Sequence, residues 1–190
     1  MTQVMDSAIY RIFAYLLRYP QPGMEKLVVQ LLDRLPPCTS PAVERLGCFK
    51  RFVEHASLAE MEEIYTRTFD LQGLCYPYIG QYLFGQTYQR SQFMARLNHE
   101  YFSRGILAGN ELPDHAAVIL EFLASGDGDE FSQVLVSEGL IPALRSMVEA
   151  LRQNDKNPYG LLIEALWLVL GEEINSEQAA TTPAGGLEHA

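Results

Sequence analysis

Apolar positions recur at helical spacing along nearly the whole chain. Ile9, Ile12, Phe13, Leu16 and Leu17 form one stripe, which Pro20 and Pro22 stop; Leu27, Val28, Leu31, Leu32 and Leu35 form a second, closed by Pro36-Pro37. Ser40-Pro41 joins a capping residue to a first-turn proline, and Val43, Leu46, Phe49 and Val53 follow on one face. Ser57-Leu-Ala-Glu60 has capping-box spacing, with the serine and glutamate satisfying each other's backbone amides, and opens a helix carrying Leu58, Met61, Ile64 and Tyr65.

The stretch from Phe69 to Tyr88 is aromatic and broken by Gly73, Pro77, Gly80 and Gly85, which predicts a loop to about Tyr76 and a short helix over Tyr78, Ile79, Tyr82 and Leu83. A long helix is expected from Ser91, through Phe93, Met94, Leu97, Tyr101 and Phe102, with Gly105 as its C-terminal cap. Leu112-Pro113 starts another, running to Ala124, and the last helices are expected over 131–138, 142–152 and 159–170. No alternating strand pattern of useful length emerges. The fold class is therefore all-α, a single-domain multi-helix bundle over residues 1–171, followed from Glu172 by a small, polar segment (172–190) expected to be a disordered tail.

Composition narrows the function. At 190 residues the chain supports one substantial core. Its net charge of −10, with no Lys/Arg cluster, excludes a duplex-binding face, so no nucleic-acid partner is expected. An acidic surface favours basic partners. Three cysteines, Cys38, Cys48 and Cys75, form no CxxC pair and suit reduced thiols in the cytoplasm. The N-terminus carries no signal-peptide pattern, and the most apolar stretch, 161–170, is about half a membrane span and holds Glu164, so secretion and membrane insertion are not expected.

Catalytic and metal motifs are missing. There is no phosphate loop, no GxGxxG, no Gly-x-Ser-x-Gly elbow and no HExxH, and the histidines at 55, 99, 115 and 189 are too scattered to bring two onto one helical turn. Neither catalytic residues nor metal ligands are assigned. A small enzyme using Cys75 or His115 stays open as an alternative, although a small buried thiol accounts for Cys75 as it stands.

The segment Glu111-Leu-Pro-Asp-His-Ala-Ala-Val-Ile-Leu-Glu121 concentrates what chemistry remains. With Pro113 in a first turn, Asp114 and Glu121 lie seven residues apart and about 20° apart on one helical face. His115, Val118, Ile119 and Phe122 fill the adjoining stripe. The result is an apolar face with an acidic rim, fit to hold an apolar peptide whose flanking cation meets the carboxylates. Favourable contact of Asp114 with the helix dipole explains the same residue without any ligand, and a histidine on an apolar face also suits plain packing.

Glu111-Leu-Pro-Asp-His115, followed by Val118-Ile-Leu-Glu-Phe-Leu-Ala124, resembles the signature segment of the nitrate reductase delta subunit family, the molybdenum-cofactor assembly chaperones within the wider redox-enzyme maturation superfamily. Glu63-Ile-Tyr-Thr-Arg-Thr-Phe-Asp70 resembles that family's tyrosine-to-phenylalanine-aspartate block, and Tyr82-Leu-Phe-Gly85 its aromatic-glycine segment. The stretch 71–78 departs from the family pattern and leans towards the wider superfamily. The resemblance implies a cytoplasmic, non-enzymatic chaperone with no stably bound cofactor. Its implied partner is the catalytic subunit of a molybdoenzyme, bound through an N-terminal twin-arginine-type leader or its remnant until molybdenum guanine dinucleotide is inserted. It also implies a monomer or a helix-swapped homodimer.

On that reading the peptide site is the groove between the helix from Asp114 and the segment 65–84. Asp114, Glu111 and Glu121 would receive the client's basic residues, with His115 beside them. Tyr65, Phe69, Tyr76, Tyr78, Tyr82 and Phe84 would meet its apolar part, although core packing is an equal use for aromatics at helical spacing. A helical scaffold or regulator that never touches a leader remains the other function class.

Overall fold

The architecture is that of a computed structural model, which describes residues 6–35, 39–70, 73–106, 109–126, 128–152 and 157–181, with side chains only as far as Glu172 at the C-terminal end. The Pro36-Pro37 stop, Cys38 and residues 182–190 lie outside that range. Helix α1 (Ser7–Leu16) opens under Asp6, whose carboxylate accepts the Ala8 amide at 2.9 Å. α2 (Met24–Arg34) and α3 (Ser40–His55) form where their stripes predict, with Pro41 in the first turn of α3; Val28 and Leu31, and Leu46, Phe49 and Val53, are buried as expected, whereas Val43 is exposed and Ala42 is buried in its place. α4 (Leu58–Phe69) has the capping box: the Glu60 amide donates to Ser57 Oγ at 3.3 Å, and the Ser57 amide to Glu60 Oε2 at 2.8 Å.

After α5 (Ile79–Phe84), α6 (Tyr88–Ser103) begins a turn earlier than its apolar stripe suggests, which places Arg90 inside a helix. Gly105, at φ +68°, ends α6, with the Ile106 amide donating back to the Tyr101 carbonyl at 2.9 Å. α7 (Ala116–Leu123) is short and its residues are nearly all buried.

From Glu130 the chain is helical without a break to Arg152: α8 (Glu130–Val134), a π-helical segment over Leu135–Leu140, then α9 (Ile141–Arg152). Two separate helices were expected here. Pro142 explains the join, because its ring would clash with the carbonyl four residues back in a regular α-helix and the wider π turn relieves that clash. α10 (Pro158–Thr181) runs past the expected end at Leu170, because 171–181 contains no proline and several strong helix formers.

Burial then assembles one all-α domain. α10 lies along α3 and α9, α1 packs on α7 and α2, and α5 bridges α6, α9 and the π segment. Phe13, Leu16, Leu46, Phe49, Ile119, Phe122, Leu144, Leu162 and Leu166 lie in the shared core. Among the described residues no helix is long and apolar enough to cross a membrane.

Candidate functional site

Residues 111–116 form a clasp that joins three helices. The Ile79 amide donates to the Asp114 carbonyl at 2.8 Å and the Ala116 amide to the Pro77 carbonyl at 2.7 Å, so Tyr78 and His115 meet as an isolated antiparallel bridge. Tyr101, from α6, donates its hydroxyl to the Pro113 carbonyl at 2.7 Å. The Asp114 side chain is 0 % exposed, and Arg90 holds it at both oxygens, Nε to Oδ2 at 2.7 Å and Nη2 to Oδ1 at 3.3 Å. The remaining guanidinium nitrogen, Nη1, donates to Gln81 Oε1 at 3.0 Å.

Gly80 makes room for this arrangement, since a Cβ there would lie 2.6 Å from Asp114 Oδ2. Gly73 does the same for the loop before it: a Cβ would lie 2.6 Å from the Thr68 carbonyl, where the chain folds back across the end of α4.

The expected acidic corner is therefore corrected. α7 starts at Ala116, with His115 as its cap, so Asp114 precedes the helix and does not share a helical face with Glu121. Residues 113 and 114 form a turn, closed by the His115 amide donating to the Leu112 carbonyl at 3.0 Å, and His115 pairs with Tyr78, so no helix runs through Asp114. Asp114 points inward to Arg90 and offers no oxygen to solvent. His115 is 2 % exposed, and its Nδ1 accepts the Ala117 amide at 3.1 Å, which puts the proton of the neutral ring on Nε2. Burial, and secondarily the Arg18 charge, lower its pKa to about 4. Glu121 pairs with Arg18 at 2.9 Å.

Beside the clasp is a face built of tyrosines and unneutralised carboxylates. The Tyr78 ring meets His115 edge-on at 5.5 Å, and the Arg90 guanidinium lies 5.6 Å from its centroid. Tyr65 donates its hydroxyl to the Leu17 carbonyl at 3.3 Å and packs against Tyr19, itself 50 % exposed, at 5.5 Å. Both Tyr65 and Tyr78 are pushed up in pKa, first by burial and next by the Glu111 carboxylate, with Asp70 adding to both. The charges of Glu111 and Asp70 both reach the two rings, and among the described residues neither carboxylate forms an ion pair.

The other expected aromatics separate. Phe69 is buried against Tyr65 and Tyr159, at 4.9 and 5.4 Å, and serves the core. Tyr76 is 48 % exposed; its amide donates to the Tyr82 hydroxyl at 2.9 Å, so Tyr82 is tied to its own loop. Phe84 faces a different groove, against Phe93 at 5.5 Å.

Arg90, Tyr101, Gly80 and Asp70 are the residues that sequence reasoning missed. A carboxylate inside an apolar run signals that a cation must be near, but no local spacing selects Arg90, 24 positions away, over the other basic residues. Cys75 is buried, its thiol raised to about 12 by desolvation, and that makes it a poor nucleophile. Among the described residues no group of three His, Cys, Asp or Glu is placed to hold a metal ion.

The sequence is similar to two curated proteins named nitrate reductase molybdenum cofactor assembly chaperone NarJ, from Escherichia coli strain K12 and from Escherichia coli O157:H7. Each is 25 % identical over 175 residues, covering 89 % of this chain and 72 % of the relative. A family model described as nitrate reductase delta subunit matches residues 25–155, running through the divergent stretch 71–78 and the whole clasp. On that match the chain belongs to the nitrate reductase delta subunit family.

Proposed function

We propose that this protein is a cytoplasmic, non-enzymatic chaperone that holds the catalytic subunit of a nitrate reductase-like molybdoenzyme while its molybdenum guanine dinucleotide cofactor is inserted. The leader of that subunit, a basic stretch followed by an apolar one, would lie on the tyrosine face beside the clasp. The observation that supports this reading is that two carboxylates outside any ion pair among the described residues, Glu111 and Asp70, both act on the rings of Tyr65 and Tyr78, of which Tyr65 packs on the exposed Tyr19. Tyrosine rings supply apolar area at low entropic cost, and free carboxylates at their edge suit arginine. Asp114 and His115 then act as positioning residues that fix Tyr78, Glu121 is occupied by Arg18, and the molybdenum cofactor is cargo for the client and not a resident group.

Calorimetry with the catalytic subunit's N-terminal leader peptide tests this. The double variant Glu111→Gln/Asp70→Asn should weaken binding by about 1–3 kcal/mol, and rising salt should weaken the wild-type complex, as charge-assisted contacts require. Unchanged affinity in a folded double variant would remove this face from the site. Affinity purification from native cytoplasm should retain an immature molybdoenzyme subunit. Retention of none would favour a scaffold or regulator.

A further inference from the structure

Helix α6 carries the two most exposed large apolar side chains among the described residues, Tyr88 at 77 % and Phe102 at 85 %. The apolar stripe predicts Phe102 beside Tyr101, but only Tyr101 turns in to the clasp, and Phe102 points to solvent. Tyr88 and Phe102 lie seven residues before and after Ala95, which is itself exposed. Seven residues fall about 20° short of two full turns, so the three positions form one line along the helix, roughly 21 Å long.

This outer face has no formal charge. Arg90, Arg96 and Glu100, the charged residues of α6, stand about 100° or more around the axis from Ala95. Arg90 turns in to Asp114, and Arg96 lies over the Phe131 ring.

Around Ala95 the face reads alike in both directions. Ser91 and His99 lie four residues to either side of it, and Gln92 and Asn98 three. All four are exposed, and among the described residues none of their side chains forms a hydrogen bond or an ion pair. A two-fold interface requires such symmetry, because every contact from i to j is repeated from j to i. Set antiparallel about an axis at Ala95, two copies bring Tyr88 level with Phe102, Ser91 with His99 and Gln92 with Asn98. Those levels match two aromatic rings, a hydroxyl with an imidazole, and two amides. Ala95 meets its own copy and lets the helix axes approach to about 8 Å, the close end of helix packing.

We propose that α6 pairs with α6 of a second copy of this chain, antiparallel, along the line Tyr88–Ala95–Phe102. Electrostatics favours this occupant. A chain of net charge −10 repels its own copy over most of its surface and meets it with least repulsion where no charge stands. Opposed helix dipoles in an antiparallel pair add to that. An anionic lipid surface repels the chain as a whole, and a basic partner finds no carboxylate on this face. No element is exchanged, which separates the pairing from a helix-swapped dimer. It lies on the back of the helix that gives Arg90 and Tyr101 to the clasp and uses no residue of the tyrosine face.

Sedimentation equilibrium of the full chain over about 1–200 μM tests this, because an interface of one helix is small and weak. A reversible monomer–dimer equilibrium is expected. Phe102→Glu and Tyr88→Glu, both at exposed positions, should each raise the dimer dissociation constant at least about tenfold, with circular dichroism confirming the helical content. Rising salt should not weaken the dimer, since it screens repulsion between acidic chains and the seam has no ion pair to lose. Oxidising an equal mixture of Ser91→Cys and His99→Cys chains should give 91–99 disulfides in excess of 91–91, mapped by mass spectrometry.

A wild type that stays monomeric, a dimer that persists in either glutamate variant as an exchanged helix would give, a dimer weakened by salt, or a predominance of 91–91 links overturns the proposal. So does a monomeric wild type that sediments with phosphatidylcholine vesicles, which would give the face to lipid. Leader binding should be unchanged in Phe102→Glu. Its loss there would assign the face to the client and refute the pairing.

Discussion

The Arg90 guanidinium engages both oxygens of a fully buried Asp114 carboxylate, and Gln81 takes the nitrogen left over. Two charges removed from water in this way stabilise the fold only as a pair, because either one alone would be left buried without a counter-charge. Arg90→Ala should therefore lower unfolding free energy by about 3–5 kcal/mol, measured by urea denaturation. An apolar double replacement, Arg90→Met/Asp114→Leu, should recover much of the loss. If the single variant unfolds like the wild type, the pair has no structural role. If the single variant is destabilised as expected, a loss of peptide binding in an Asp114 variant has to be read against its stability, not as a lost ligand contact.

Two glycines in helices should respond in opposite directions. Gly80→Ala drives a methyl into Asp114 Oδ2, which Arg90 holds in place, and should cost about 1–3 kcal/mol as an overpacked site does. Gly47, within α3, has nothing within 4 Å of an added Cβ, and Gly47→Ala should stabilise by about 0.5–1 kcal/mol through helix propensity. Melting curves of both variants check the contrast. Equal shifts would mean that the clasp yields freely around position 80.

His115 gives stability a pH dependence of known sign. Its folded pKa is lowered from 6.5 to about 4, so between these values the unfolded chain binds more protons and unfolding is favoured as pH falls. The contribution is complete above about pH 6.5 and is lost progressively down to about pH 4, amounting to roughly 3 kcal/mol across the window. Protonation also removes Nδ1 as the acceptor that caps α7. His115→Asn keeps a capping side chain without the titration, so its stability should be flatter between pH 6.5 and 4. Denaturation midpoints at pH 7, 5.5 and 4 measure this, and parallel slopes in the two proteins would exclude His115 as the cause.

Cys75 should be chemically silent in the folded protein. Its thiol is raised to about 12 by burial and keeps almost no thiolate at neutral pH, whereas Cys48 is only half-buried. Mass spectrometry of a timed iodoacetamide reaction should find Cys48 alkylated ahead of Cys75, and Cys75 only after denaturant is added. Prompt modification of native Cys75 would reopen a nucleophilic role for it.

Much of this protein is legible in the chain itself. The stripes that end in α1 to α4, the Ser57–Glu60 box and the Gly105 stop depend on residues within a turn or two of one another, and local patterns report local bonds. The Leu-Pro-Asp-His segment was recognisable for the same reason. How its residues are held was decided only by contacts from far along the chain: Arg90 and Tyr101 from α6 and the backbone at 77–79. A helical wheel assumes a helix through Asp114, but a turn at 113–114 followed by the His115–Tyr78 bridge stands in its place. The side chain that looked like an acidic rim became an internal strut. That Glu111 and Asp70 form no ion pair among the described residues emerged only once the surrounding basic side chains had positions, because whether a charge is neutralised is a property of space and not of sequence order.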